Sequence, residues 1–279
     1  MLDRRSLLLF GLAAVSSGFV AGCSAADLVS QPGNGPVSWP AATPNSTVTV
    51  DHRAWEVFLS RHAFDRGDGV TLVAYADVPM VDRELLDSYL AALQAVEIEN
   101  LNRSEQLAFW LNLHNAIVVR IILDHPIVSS PDQIRSRGLF ARGPWDAALL
   151  SVGGRRLSVR GLKRDVLRPG FRDPRWHYGL CEATIGGPAL TLRPFVGATV
   201  DRALDDAAIA FVSSPRAVAL EGDAQLLNAL WRRHETDFGG DLGAVLAHIR
   251  LYAPLSLRQA LSVDRETRWI DDRRLNEAI

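Results

Sequence analysis

Apolar positions along this chain recur with two periods, near 3.6 and near 2, and the period assigns most of its elements. The densest stretch is 102–124. There Leu107, Leu111, His114, Val118 and Ile121 fall on one stripe of a helix, with Ala108, Asn112, Asn115 and Val119 on the next. A helix apolar almost all round is predicted to be central and buried. Its two amides then need partners, because an unpaired buried polar group costs about 1–3 kcal/mol. Asn102 followed by Glu105 reads as its N-terminal cap. Upstream, Asp51 opens a helix carrying Trp55, Phe58 and Leu59, and Asp82 opens another carrying Leu85, Leu86, Tyr89, Leu90 and Leu93. Residues 70–75 read as a strand, and 148–159 as a hairpin turning on Gly153-Gly154. Residues 161–168 form a short helix ending at Pro169, and 176–181 a further strand before the turn Gly186-Gly187-Pro188. Beyond Val196 the pattern predicts helices over 200–211, 224–238, 242–249 and 256–261. The fold class expected is α/β (α+β), helix-rich, with a small sheet or hairpin around a central buried helix.

The N-terminus follows a different rule. An apolar run over 7–20 stands behind Arg4 and Arg5 and is short of the roughly 20 apolar residues that span a bilayer. Val20-Ala21-Gly22-Cys23 resembles the lipobox of bacterial lipoproteins, in which the signal is cut before a cysteine that then carries the lipid. Arg4-Arg5-Ser6-Leu7-Leu8 is similar to a twin-arginine export signal. The expected organisation is a signal over 1–23, a flexible linker over 24–48 rich in Pro, Gly and Ser, and a single domain over 49–279. The protein is expected to be exported and lipid-anchored at Cys23 in the bacterial cell envelope, on the periplasmic side. Ser24 after Cys23 points to the outer membrane. Its partners would be the membrane, through that lipid, and an envelope ligand or protein.

Composition removes several classes of function. The net charge of -2 becomes one unit more negative without Arg4, Arg5 and Asp3, so nothing favours nucleic acid. With Cys23 lipidated, Cys181 stands alone and no intrachain disulfide is expected. The seven histidines show no zinc-ligand spacing, and no phosphate loop or dinucleotide-binding glycine pattern occurs. No metal and no cofactor are expected. Lys163 is the chain's single lysine.

Asn102-Arg103-Ser104-Glu105, running into Ala108-Phe109-Trp110-Leu111-Asn112-Leu113-His114-Asn115-Ala116, resembles the signature helix of the domain-of-unknown-function 547 family. The resemblance continues in order through His125-Pro126, Gly143-Pro144-Trp145, the hairpin and short helix over 154–168, and Asp173-Pro174-Arg175-Trp176-His177-Tyr178-Gly179-Leu180. It ends with the turn at Gly186, Pro188 and Leu190 and a helix over 204–211, covering roughly residues 100–215.

The family commonly carries Cys-x-Ser-x-x-Cys-Pro after the histidine and an Ile-Glu-His on the short helix, which together imply nucleophilic chemistry. Here Glu182 and Gly187 stand at the cysteine positions, Lys163 and Arg164 where Glu-His is usual, and His114 replaces a tyrosine. On a strand, Cys181 would lie roughly 13 Å from His177, too far for a thiol–imidazole pair. His177 and Glu182 are the catalytic candidates, as general acid/base groups, Glu182 with a pKa raised by partial burial. Asn112, Asn115, His114 and Trp110 are the pocket or binding candidates. Lys163 and Arg164 either bind an anion or form a solvated face. Two functions follow: a ligand- or protein-binding module derived from an enzyme-like domain, or a hydrolase of an envelope peptide or amide using His177 and Glu182.

Overall fold

The computed structural model describes residues 41–126, 128–134 and 143–278. The export signal, Cys23 and most of the expected linker lie outside them. The linker's last residues do not behave as a tether. Thr43 donates its N–H to the Leu101 carbonyl and its hydroxyl to Glu99, and the Ser46 hydroxyl bonds the Asn100 carbonyl. Residues 43–46 are thus fastened to the folded body.

Helix α1 (Arg53–His62) and helix α2 (Met80–Gln94) flank a short hairpin, β1 (Ala63–Asp65) and β2 (Thr71–Val73). The cap position is His52, one residue after the expected Asp51, whose carboxylate takes the Arg53 N–H. Helix α3 (Arg103–Leu123) is the centre of the fold and is long and apolar enough to cross a membrane, yet it is almost wholly enclosed by protein. Asn102 accepts the Glu105 N–H as a cap. The Glu105 carboxylate does not return to the cap. It takes the N–H groups of Val50 and Gly197, at 2.8 Å each, and so fastens two loops to the start of α3. At Gly197 only glycine fits, because a Cβ there would lie 2.7 Å from the Glu105 backbone nitrogen.

The hairpin β3 (Leu150–Val152) and β4 (Arg155–Leu157) turns on Gly153-Gly154 as expected, with φ of +55° and +73°. The helical segment after it runs through Pro169 to Gly170: α4 (Val159–Gly161), a wide turn over Leu162–Leu167, and α5 (Arg168–Gly170). Helix α6 (Val200–Val212) packs beside α3.

Two expectations are corrected. Residues 176–181 are not a strand. Pro174–Gly179 forms a 3-10 helix, opened by the Asp173 side chain on the Arg175 N–H. That conformation points neighbouring side chains in three directions rather than two. Trp176 and Leu180 enter the core around α3, Tyr178 enters a second core, and His177 turns toward Asp237. Residues 224–228 are also not helical. β6 (Ala224–Asn228) lies between β5 (Val218–Glu221), antiparallel, and β7 (Glu266–Ile270), parallel. Alanine, glutamine and leucine favour a helix locally, but strand pairing on both sides overrides them. The second core forms where this sheet meets α6, α7 (Ala229–Arg233) and α8 (Leu242–Tyr252), with α9 (Leu255–Ala260) leading into β7.

The chain after β7 crosses back over the first core. Backbone bonds join Asp272 to Gly186, Arg274 to Ile185, Leu275 to Ser129 and Asn276 to Val73. The Tyr75 hydroxyl donates to Asn276, whose amide reaches the Thr71 carbonyl. The observed class is mixed and helix-rich, with small sheets around a buried central helix.

Candidate functional site

Two asparagines on α3 tie the central helix to its surroundings. Asn112 bonds both backbone groups of Phe195 and donates to Nε2 of His52, whose Nδ1 then donates to the Tyr89 hydroxyl at 2.6 Å. Asn115 donates to the Gly179 carbonyl and accepts the Cys181 N–H, both at 2.9 Å. The same Oδ1 lies 3.2 Å from Nδ1 of His114. Since that oxygen only accepts, His114 carries its proton on Nδ1. Burial, reinforced by the charge of Lys163, pushes the His114 pKa down to about 3, so the ring is neutral. Trp110 is buried against Phe109, edge to face.

His114 and Cys181 line a cavity of about 590 Å³ together with Lys163, Glu182, Arg233 and Arg273. Cys181 is buried, its sulfur accepts the Ala183 N–H, and burial pushes its pKa up to about 12. Ala183 has φ of +56°, a left-handed conformation that turns the chain sharply just after Glu182.

Glu182 is the hub of the cavity's charges. Its carboxylate lies 3.0 Å from Lys163 Nζ, 3.0 Å from Arg273 and 3.7 Å from Arg233. Burial opposes its charge, but the three cations outweigh burial and hold its pKa far below the usual carboxylate range. The expectation of a raised pKa is therefore wrong, because partial burial came with three countercharges. Arg273 also grips Asp132, and Arg233 grips Asp271.

His177 and Asn115 do not line this cavity, whereas Glu182 does. His177 is buried with Nε2 2.9 Å from an Asp237 oxygen, and its ring lies against Trp176 and His234. Burial lowers the His177 pKa despite the hydrogen bond to Asp237. Burial would raise Asp237, but hydrogen bonds from His177 and Arg168 outweigh it and keep the carboxylate ionised.

The donor atoms of His177, His234 and Asp237 lie within 4.8 Å of one another, close enough to hold a metal ion. Arg168 already fills the cation's place. Its guanidinium bonds Asp237 at 2.8 Å and reaches Nδ1 of His234 at 3.3 Å. A metal would have to displace it.

These groups come from two stretches of sequence, and the first carries a family signature. Residues 98–212 match the family model "Protein of unknown function, DUF547". No curated protein and no solved structure matches the chain. The DUF547 region supplies His114, Lys163, Arg168, His177, Cys181 and Glu182. Arg233, His234, Asp237, Asp271 and Arg273 come from beyond it and were not singled out by sequence reasoning. His234 and Asp237, three residues apart, form a faint local signal. Arg273, 91 residues from Glu182, has none.

Proposed function

We propose that this chain is a lipid-anchored envelope protein whose DUF547 domain binds a small anionic ligand in the cavity beside α3. The observation that carries the reading is the lining itself. Six cationic side chains, Arg160, Lys163, Arg164, Arg168, Arg233 and Arg273, converge on a space of small-molecule size, each paired with a carboxylate (Asp146, Glu182, Asp165, Asp237, Asp271 and Asp132) from which an anion would draw donors. Guanidinium groups match carboxylate and phosphate oxygens in pairs. Glu182 and Lys163, at positions where relatives commonly carry cysteine and Glu-His, now form an ion pair rather than a nucleophile and its base. That supports a binding module derived from an enzyme-like domain. Arg4, Arg5 and Cys23 support the anchor.

Thermal-shift titration of the full chain in detergent against a panel of phosphates and carboxylates tests the binding reading. Anions are expected to raise the melting temperature, and to do so more strongly in Glu182→Gln, where three cations lose their internal competitor. No shift in either protein would overturn the reading. Mass spectrometry of the N-terminal peptide tests the anchor separately: a lipid mass on Cys23 is expected, and an unmodified peptide starting at Met1 would overturn it.

A hydrolase is the second reading, favoured by the 2.9 Å His177–Asp237 contact, a neutral base oriented by a carboxylate. Glu182 has no proton to donate in this account, and Cys181 is held as a thiol, so water would have to attack. Incubating wild type and His177→Ala with an envelope extract decides it. A product formed by wild type alone supports hydrolysis, and equal product profiles exclude it.

A further inference from the structure

We infer that the anion taken by this cavity is a tetrahedral oxyanion that still carries a proton, a hydrogen phosphate or the phosphate end of a monoester, and that His114 reads that proton. The inference rests on the binding reading and goes on to name its ligand. His114 is 1 % exposed and lines the cavity, yet its Nε2 is buried with no hydrogen-bond partner among the described residues. The other ring nitrogen spends its proton on Asn115, so Nε2 presents a bare lone pair. Cys181 does not answer it, and the ring stays neutral, so it cannot satisfy itself by protonation. Around the same space stand Lys163, Arg233 and Arg273, paired with Glu182, Asp271 and Asp132, and each has further N–H donors to share with the oxygens of an added anion.

One molecule must therefore offer several oxygens to cations and a single O–H to a histidine. Hydrogen phosphate and singly protonated phosphomonoesters do both. Sulfate has the same shape but no proton near neutral pH, and it would set an oxygen lone pair against that of Nε2. The roughly 590 Å³ of space exceeds a bare tetrahedral ion and favours the monoester, with its organic part toward the cavity mouth.

Calorimetric titration of the full chain in detergent at about pH 6, where a phosphomonoester is about half singly protonated, uses inorganic phosphate, glycerol phosphate and sulfate as probes. Phosphate-type anions are expected to bind about tenfold or more tightly than sulfate, the cost of facing a buried acceptor with no donor. His114→Leu is expected to bring that ratio close to one while sulfate still binds. In wild type, the nitrogen-15 resonance of His114 Nε2 is expected to move with phosphate and not with sulfate, a readout that does not depend on a variant folding.

Equal affinities for phosphate and sulfate, or the same resonance shift with both, would overturn the proton reading and leave anion binding standing. Binding of neither anion would overturn both. Tighter glycerol phosphate assigns the ester as ligand, and tighter inorganic phosphate assigns the free ion.

Discussion

The signature helix α3 and the chain beyond α6 both line one cavity, and they specify themselves differently. α3 has a local cap at Asn102, continuous helical periodicity and two amides satisfied across the core. Its place in the molecule follows from its own apolarity. The later stretch holds a strand composed of helix-forming residues, two of the three clustered groups, His234 and Asp237, just after α7, and a tail whose side chains find partners far away in sequence. Local propensity says little there, because strand pairing and charge pairing with the first region decide the outcome. The tail crosses back and brings Arg273 to Glu182 in the cavity lining.

Cutting the tail is the most severe way to break this comparison. A chain ending at Ile270 loses the backbone bonds to Val73, Ile185 and Gly186 and the Tyr75–Asn276 contact. Each is worth about 1 kcal/mol, and the buried partners left behind cost more. The expected loss is about 5 kcal/mol or greater, enough to abolish a cooperative transition in urea. A normal transition would show that the DUF547 region folds without the tail.

Asn115→Leu attacks the hold of α3 on the segment beside it. It fills similar volume but strands the Gly179 carbonyl and the Cys181 N–H. A loss of about 2–4 kcal/mol in denaturant unfolding is expected, and a change under about 1 kcal/mol would show that the 177–182 segment is held from elsewhere.

Acid sharpens the comparison next. His114 and His234 are held near pKa 3 and His248 near 4, each chiefly by burial. Their folded values lie below the unfolded value of 6.5, so the unfolded chain binds more protons and stability falls as pH drops from about 6.5 toward 4. Glu182 is lowered as well, so its contribution is present above about 4.5 and is lost as pH falls below that. Melting temperature against pH should show this decline. His248→Phe, which removes a ring nitrogen with no partner among the described residues, should flatten part of it. An unchanged slope would assign the decline to the other histidines.

The smallest effect expected is at Ala183. Glycine tolerates its φ of +56°, so Ala183→Gly should stabilise by up to about 1 kcal/mol in thermal unfolding, and a loss instead would show that the methyl packs.

Several features were readable before any coordinates. The burial of α3, the need of Asn112 and Asn115 for partners, the hairpin at Gly153-Gly154 and the order of the family motifs all follow from neighbours within a few residues. Periodicity, turn chemistry and polar satisfaction act over that range, so sequence states them directly. Tertiary structure alone decided the rest. It made a 3-10 helix of 174–179, because Trp176, His177 and Tyr178 must serve three separate environments. It made a strand of 224–228, because two flanking strands claimed its backbone. It also set the charge state of Glu182, because three cations from three distant segments meet on one carboxylate, and an electric field is a sum over space that no local pattern records.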